Sequence, residues 1–286
     1  MLIRMMSHVR RTAVFLTFAA SLSLQAAPKP PKSPRLYVFD CGSLSGLDPK
    51  TNFGFEKSQL AEVDFVDTCY LVVHPKGTLM WDVGVIPDTA FKGDGKPVKE
   101  GISTVTKPLL PQLAAVGYTP ADITYMATSH YHSDHTGNAN AFAGSTWIVQ
   151  KAERDAMFAD KLPPITNPAS YNKLKDSKTK ILNNEDFDVF GDGTVVIKST
   201  PGHTPGHQVL FLKLKKTGPV LLVGDLYHYP EERAAKKTPA FEFNREQSLA
   251  AREAIDKFLA QTKAQMWISH DKPTYVKGKK APDFYE

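Results

Sequence analysis

The sequence predicts a layered α/β sandwich in one domain. Two observations carry that prediction. Apolar, strand-like runs fall into two groups, each followed by helical segments, and several of the runs end directly in a histidine or an aspartate. The 286 residues are 42% hydrophobic and 23% charged, which is enough apolar material for one large core.

In the first group, RLYVFDCG, TCYLVVHP and TLMWDVGV read as strands, with HPKG as the hairpin turn between the last two. Residues 86–104 are rich in Gly, Pro and Lys and read as a surface loop. VTKPLLPQLAAVG predicts a helix ending at Gly117, TPADI a capped short turn, ITYMATSH a buried strand, TWIVQ a strand and KAERDAMF a helix. Residues 159–186 show no clear period and read as an insertion over one face; with loop 86–104 they suit the walls of a pocket. In the second group, GTVVIKST, QVLFLKL and PVLLVGD are strands separated by PGHTPGH and KKTGP. NREQSLAAREAIDKFLAQT is a helix with Asn244 as its N-cap, and AQMWISHD is the last strand. The final KGKKAPDFYE reads as a solvated tail, with a dimer arm, and hence a homodimer, as the alternative.

The N-terminus has the order of a secretory signal: MLIRMMSHVRR carries three arginines and no acid, TAVFLTFAASLSL is apolar, and QAAP offers small residues for cleavage. The apolar run is too short for a permanent membrane anchor. The expected organisation is therefore a leader over 1–27, a stiff proline-rich linker over 28–34 and a folded domain over 35–286, exported to the periplasm or beyond. Removing the leader takes Lys and Arg from 35 to 32 against 30 acids, so the formal charge falls from +5 to +2. That charge offers nothing to nucleic acid. Cys41 and Cys69 are the only cysteines; they could pair or remain buried thiols, and with no CxxC a thiolate zinc site is excluded.

SHYHSDHTGN places His130, His132, Asp134 and His135 within six residues, directly after a buried strand. Alternate residues at a strand end point the same way, so His130 and His132 can share one metal, while Asp134 and His135 on the following turn suit a second. Imidazole and carboxylate donors without thiolate suit zinc in an open catalytic site, with Fe or Mn as alternatives. Three further strands end in a candidate ligand: VVIKST runs to His203, PVLLVG to Asp225 and QMWIS to His270. His74 precedes Pro75 in a hairpin and reads as a solvent-facing turn residue. Phe53, Phe55, Leu60 and Phe65 read as core or lid packing in preference to the lining of an acyl pocket.

HYHSDH, PGHTPGH, VGDLY and the late SHD resemble, in order and spacing, the metallo-β-lactamase-fold hydrolases, from VFDCG to SHD. Within them, DCG, CYLVVHP, TPGHTPGHQ and a retained Asp225 are most similar to the N-acyl homoserine lactonase family. The resemblance implies an αββα sandwich with two zinc ions at one edge. His130, His132 and His203 would hold one ion and Asp134, His135 and His270 the other, with Asp225 bridging and His207 fixing a loop. Asp82 would support the site; its alternative is a strand-end turn residue. Where the lactonases place a substrate-contacting tyrosine, three residues after the bridging aspartate, this chain has His228, flanked by Tyr227 and Tyr229.

The implied activity is lactone ring opening, with N-acyl homoserine lactones as the expected substrates, by a hydroxide shared between the ions. Asp134 is the candidate proton shuttle and His228 the candidate substrate contact. A β-lactam- or ester-hydrolysing enzyme of the same fold is the alternative, and a non-catalytic zinc-binding protein the alternative from another class.

Overall fold

The computed structural model of the protein describes residues 28–286. The leader read at residues 1–27 lies outside the described residues. Eight strands in chain order begin the structure: β1 (Arg35–Leu44), β2 (Phe65–His74), β3 (Gly77–Trp81), β4 (Val98–Glu100), β5 (Ser103–Val105), β6 (Tyr125–Ala127), β7 (Thr146–Gln150) and β8 (Thr179–Leu182). After them come β9 (Phe187–Asp188), β10 (Val195–Ser199), β11 (Gln208–Leu214), β12 (Gly218–Leu222), β13 (Gln265–Trp267) and β14 (Phe284–Tyr285). The first sheet runs β4-β5-β1-β2-β3-β6-β7-β8 with β14 also paired to β1, and the second runs β13-β12-β11-β10-β9. Both sheets are mixed: β3, β6, β7 and β8 are mutually parallel, as are β12 and β13, while the hairpins are antiparallel.

Strand alternation explains the layering. In β1, Leu36 and Val38 face the second sheet, where they meet Ile197, Leu210 and Leu222. Tyr37, Phe39 and Cys41 face the other way, into a layer with Leu109 and Leu113 of the helix Leu109–Ala115. Because the sheet is covered on both faces, β2 is buried along all ten residues, and its apolar side chains Cys69–Val73 run without alternation. On the outer face of the second sheet, Val209, Phe211 and Leu221 pack against Ile255 and Leu259 of the helix Arg245–Thr262. Asn244 caps that helix as its sequence predicts, accepting from the Gln247 N–H at 3.0 Å. The result is the αββα sandwich. Among the described residues no helix is long and apolar enough to cross a membrane.

Residues 86–104 are only partly loop, because β4 and β5 form a hairpin that extends the first sheet through Ser43 and Leu44. The C-terminal tail is neither solvated nor an arm: Tyr285 pairs with Leu36 in β14, packs on Trp267 at 4.8 Å, and Arg35 lies 4.4 Å over Phe284. His74 is buried, stacked on Phe190 at 4.1 Å and bonded to Thr194 Oγ1 at 3.1 Å, since the turn before β10 folds over it. Cys41 and Cys69, on adjacent strands with Cα atoms 5.8 Å apart, form a disulfide.

Candidate metal centre

The ends of β3 and β6 lie side by side, and Asp82 directs the chain that leaves them. Its backbone turns left-handed (φ 51°), its N–H donates to Ala127 O at 3.1 Å, and its Oδ1 accepts from the Ser129 N–H at 2.6 Å. This swings the chain after β6 into His130–His135. From the second sheet, the β10–β11 loop brings His203 and His207. Glu153 joins the two loops: it accepts from the Tyr131 N–H at 2.7 Å, and from Thr204 Oγ1 and the Gly206 N–H at 2.8 Å. The glycines of PGHTPGH are required by close approach. A Cβ on Gly202 would stand 2.2 Å from the Ser248 nitrogen, and one on Gly206 would stand 2.6 Å from that of Glu153. Asp225 follows β12 on a single turn, and His270 follows β13.

These residues converge in two groups that share Asp225. His132 turns Nδ1 inward, 2.8 Å from His130 Nε2 and 3.1 Å from His203 Nε2. Asp225 Oδ2 stands 3.7 and 3.5 Å from the latter two. On the other side, Asp225 Oδ1 lies 3.1 Å from both His135 Nε2 and His270 Nε2, which stand 3.8 and 3.7 Å from Asp134 Oδ2. The ligand-capable atoms within each group lie within 4.8 Å of one another, and all the residues are buried.

The outer ring nitrogens are held in place as metal-facing histidines require. His135 Nδ1 is 3.1 Å from Asp82 Oδ2, His130 Nδ1 is 3.0 Å from Ser129 Oγ, and His270 Nδ1 donates to Val66 O at 2.9 Å. Asp82 is thus a supporting residue. His207 is outside both groups: its Nδ1 meets Thr200 Oγ1 at 2.9 Å and its Nε2 accepts the Asp225 N–H at 3.2 Å, fixing that turn.

Burial, reinforced by neighbouring imidazoles, holds His130 and His132 well below the ordinary histidine range. It pushes His203 down to about 3 against the pull of Asp225. Their lone pairs are therefore free. At His135 burial is outweighed by Asp225, Asp82 and Asp134, which raise its pKa well above the usual value. A field that favours a proton there also favours a cation. Asp225 Oδ1 and His135 Nε2 are buried without a hydrogen bond. Donor atoms about 2.0–2.1 Å from one tetrahedral ion stand about 3.3 Å apart, the spacing that both groups approach. The donor set fits two divalent ions.

His228 joins the same site. Its Nε2 is 3.0 Å from Asp225 Oδ2, and Asp225 and Glu232 overcome burial to hold its pKa up at about 10. The flanking tyrosines point elsewhere. Tyr227 packs under Arg252, and Tyr229 donates to Val63 O at 2.9 Å. A cavity of about 380 Å³ opens onto His132, Asp134, Asp225, His228 and His270, with Leu44, Phe53, Phe65, Ile102, Ile165 and Phe241 among its apolar walls. Phe53 and Phe65 therefore serve both as packing and as lining, while Phe55 stands behind them against Tyr229. Phe241 carries no sequence signal, and only the fold brings it to the metal-facing groups. Ile102 and Ile165 come from the two segments read as pocket walls.

A family model for the metallo-β-lactamase superfamily matches residues 64–262. The chain belongs to the metallo-β-lactamase superfamily. Within the superfamily it is 30% identical over 265 residues to the N-acyl homoserine lactonase AttM of Agrobacterium fabrum, covering 88% of this chain and 98% of that one. It is 31% identical over 215 residues to an N-acyl homoserine lactonase of a Bacillus species, covering 71% and 80%. Its fold superposes with a TM-score of 0.72, at 25% identity over 87% of this chain and 98% of the other, on an N-acyl homoserine lactone hydrolase with N-hexanoyl-L-homoserine bound at its catalytic metal centre. This superfamily member is a metal-dependent hydrolase with lactonase-like relatives.

Proposed function

We propose that the protein is an exported di-zinc lactonase whose substrates are N-acyl homoserine lactones. The observation that carries this reading is the apolar cavity opening directly onto both halves of the donor set. Its walls suit an acyl chain, and its floor would receive the lactone ring. A storage protein needs no such cavity. The similarity to lactonases supports the substrate class, and the disulfide supports export.

His130, His132, His203 and Asp225 would hold one ion, and Asp134, His135, His270 and Asp225 the other. Bound there, two zinc ions polarise a carbonyl and lower the pKa of water toward ~7. The chain does the rest. Phe53, Phe65 and Phe241 exclude solvent and hold the acyl chain. His228 lines the cavity with its Nε2 3.0 Å from Asp225 Oδ2. With that oxygen engaged by an ion, the N–H would be released to donate a hydrogen bond to the lactone carbonyl oxygen as negative charge develops on it. Asp134, on the cavity floor, takes up the proton released on attack and returns it to the ring oxygen as the C–O bond breaks.

The test is acid release from hexanoyl and dodecanoyl homoserine lactones by purified protein, with a chromogenic β-lactam alongside. Ring opening lost on chelation and restored by zinc is expected. Because His228 stands where the lactonases carry tyrosine, β-lactam turnover with no lactone opening is the outcome that would replace this reading.

A further inference from the structure

Behind the histidines lies a buried charged cluster that the proposed chemistry leaves unused. Glu232, on the helix Pro230–Ala235, is fully buried. Its Oε1 accepts from the backbone N–H of His228 at 3.2 Å and stands 3.5 Å from that residue's Nδ1; its Oε2 accepts from Arg252 at 2.8 Å. The same guanidinium nitrogen lies 3.9 Å from Glu242 Oε1. Glu242 Oε2 accepts from Ser248 Oγ at 2.6 Å and stands 3.4 Å from His203 Nδ1. Arg252 is itself buried, with its guanidinium 4.4 Å above the ring of Tyr227 and a hydrogen bond to Lys237 O. One continuous path therefore runs from His228 through Glu232, Arg252 and Glu242 to His203.

Packing does not account for this path. Arg252 occupies a helix face whose neighbours are Ile255 and Leu259, and burying ions there costs several kcal/mol each unless they are paired. The two carboxylates share one guanidinium, and each turns an oxygen toward the outer nitrogen of a histidine in the site. His203 Nδ1 and His228 Nδ1 are buried and make no hydrogen bond; the carboxylate oxygens of Glu242 and Glu232, at 3.4 and 3.5 Å, are the charged groups that face them.

We propose that Glu232 is the positioning residue for His228 on the substrate side, Glu242 the positioning residue for His203 on the metal side, and Arg252 the cation that holds both carboxylates in place. The proposal rests on the reading of the site as a hydrolytic metal centre with His228 at its substrate edge.

The test uses Glu232→Gln, Glu242→Gln and Arg252→Lys in the full protein, with three readouts: zinc affinity by chelator competition, the ¹⁵N shift of the His228 ring, and kcat and KM on whichever lactone or ester the wild type opens. Glu232→Gln should shift the His228 signal and lower kcat about 10-fold or more, leaving zinc affinity within about 2-fold. Glu242→Gln should weaken zinc binding about 10–100-fold. Arg252→Lys, which keeps the charge but not the fork, should show smaller versions of both effects. Gln variants that lose only thermal stability, with zinc affinity and the His228 signal unchanged, overturn the proposal. A wild type inactive on every lactone would sink the functional reading alone, because the zinc and ¹⁵N readouts do not depend on turnover.

Discussion

Asp82 Oδ2 lies 3.1 Å from His135 Nδ1, and the pair is completely buried. The contact turns His135 Nε2 toward Asp225, while Asp82 Oδ1 holds the Ser129 N–H at the start of the histidine loop. Asp82→Ala removes both functions at once. Zinc affinity should fall about 10–100-fold, read by competition with a chromogenic chelator, and the melting temperature should fall with it. Asp82→Ala protein with wild-type zinc affinity would show that the histidine loop orients itself.

Asp225 presents one oxygen to each donor group. Asp225→Ala should therefore lower the metal content relative to the wild type by half or more, measured by elemental analysis after gel filtration. It should also lower kcat/KM by about 10³-fold or more, of the order seen when a principal electrostatic group is lost. Undiminished metal content would show that neither donor group depends on Asp225.

Phe241 borders the cavity beside His228 and His203, with ring centroids 5.7 and 5.8 Å away, and is only half-buried. Phe241→Ala should raise KM for dodecanoyl homoserine lactone about 10-fold, equivalent to about 1.4 kcal/mol of lost apolar contact, and change KM for the butanoyl substrate far less. Equal effects on both chain lengths would place the acyl chain elsewhere.

Burial pushes Glu153 up to about 7, against the hydrogen bonds it accepts from Thr204, Gly206 and Tyr131. Between its unfolded pKa near 4.5 and about 7, the folded chain keeps a proton that the unfolded chain has released. Folding stability from this group is therefore greatest below about 4.5, declines as pH rises to about 7, and is level above that, a total on the order of 3 kcal/mol. Glu153→Gln should shrink the difference between melting temperatures at about pH 5 and about pH 8, on either side of that decline, both measured with chelator present. An undiminished difference would assign the titration to another group.

The metal-facing residues are legible in the sequence because each belongs to a residue type with few other uses at a strand end. Four donors in six residues, then His203, Asp225 and His270 after apolar runs, are local patterns, and the fold brings them together. Glu232, Glu242 and Arg252 are not legible, since a charged residue on a helix is ordinarily solvated and nothing nearby in sequence marks these as buried. His74 misleads for a similar reason. The Phe190 ring and the Asp192–Thr194 turn that cover it come from the other sheet. The two-residue strand at Phe284–Tyr285 likewise exists only because β1 offers it an edge. In each case the deciding neighbour is distant in sequence.

The two sheets contribute unequal shares of the donors: the loop after β6 supplies four, and His203, Asp225 and His270 come from the other layer. His132 and His203, in contact, are 71 residues apart in the chain. An ion held by both would clasp the sandwich together, and it would be bound only after the halves have docked. Zinc should thus leave the refolding rate almost unchanged while slowing unfolding, which makes the ion a source of kinetic persistence for the folded chain.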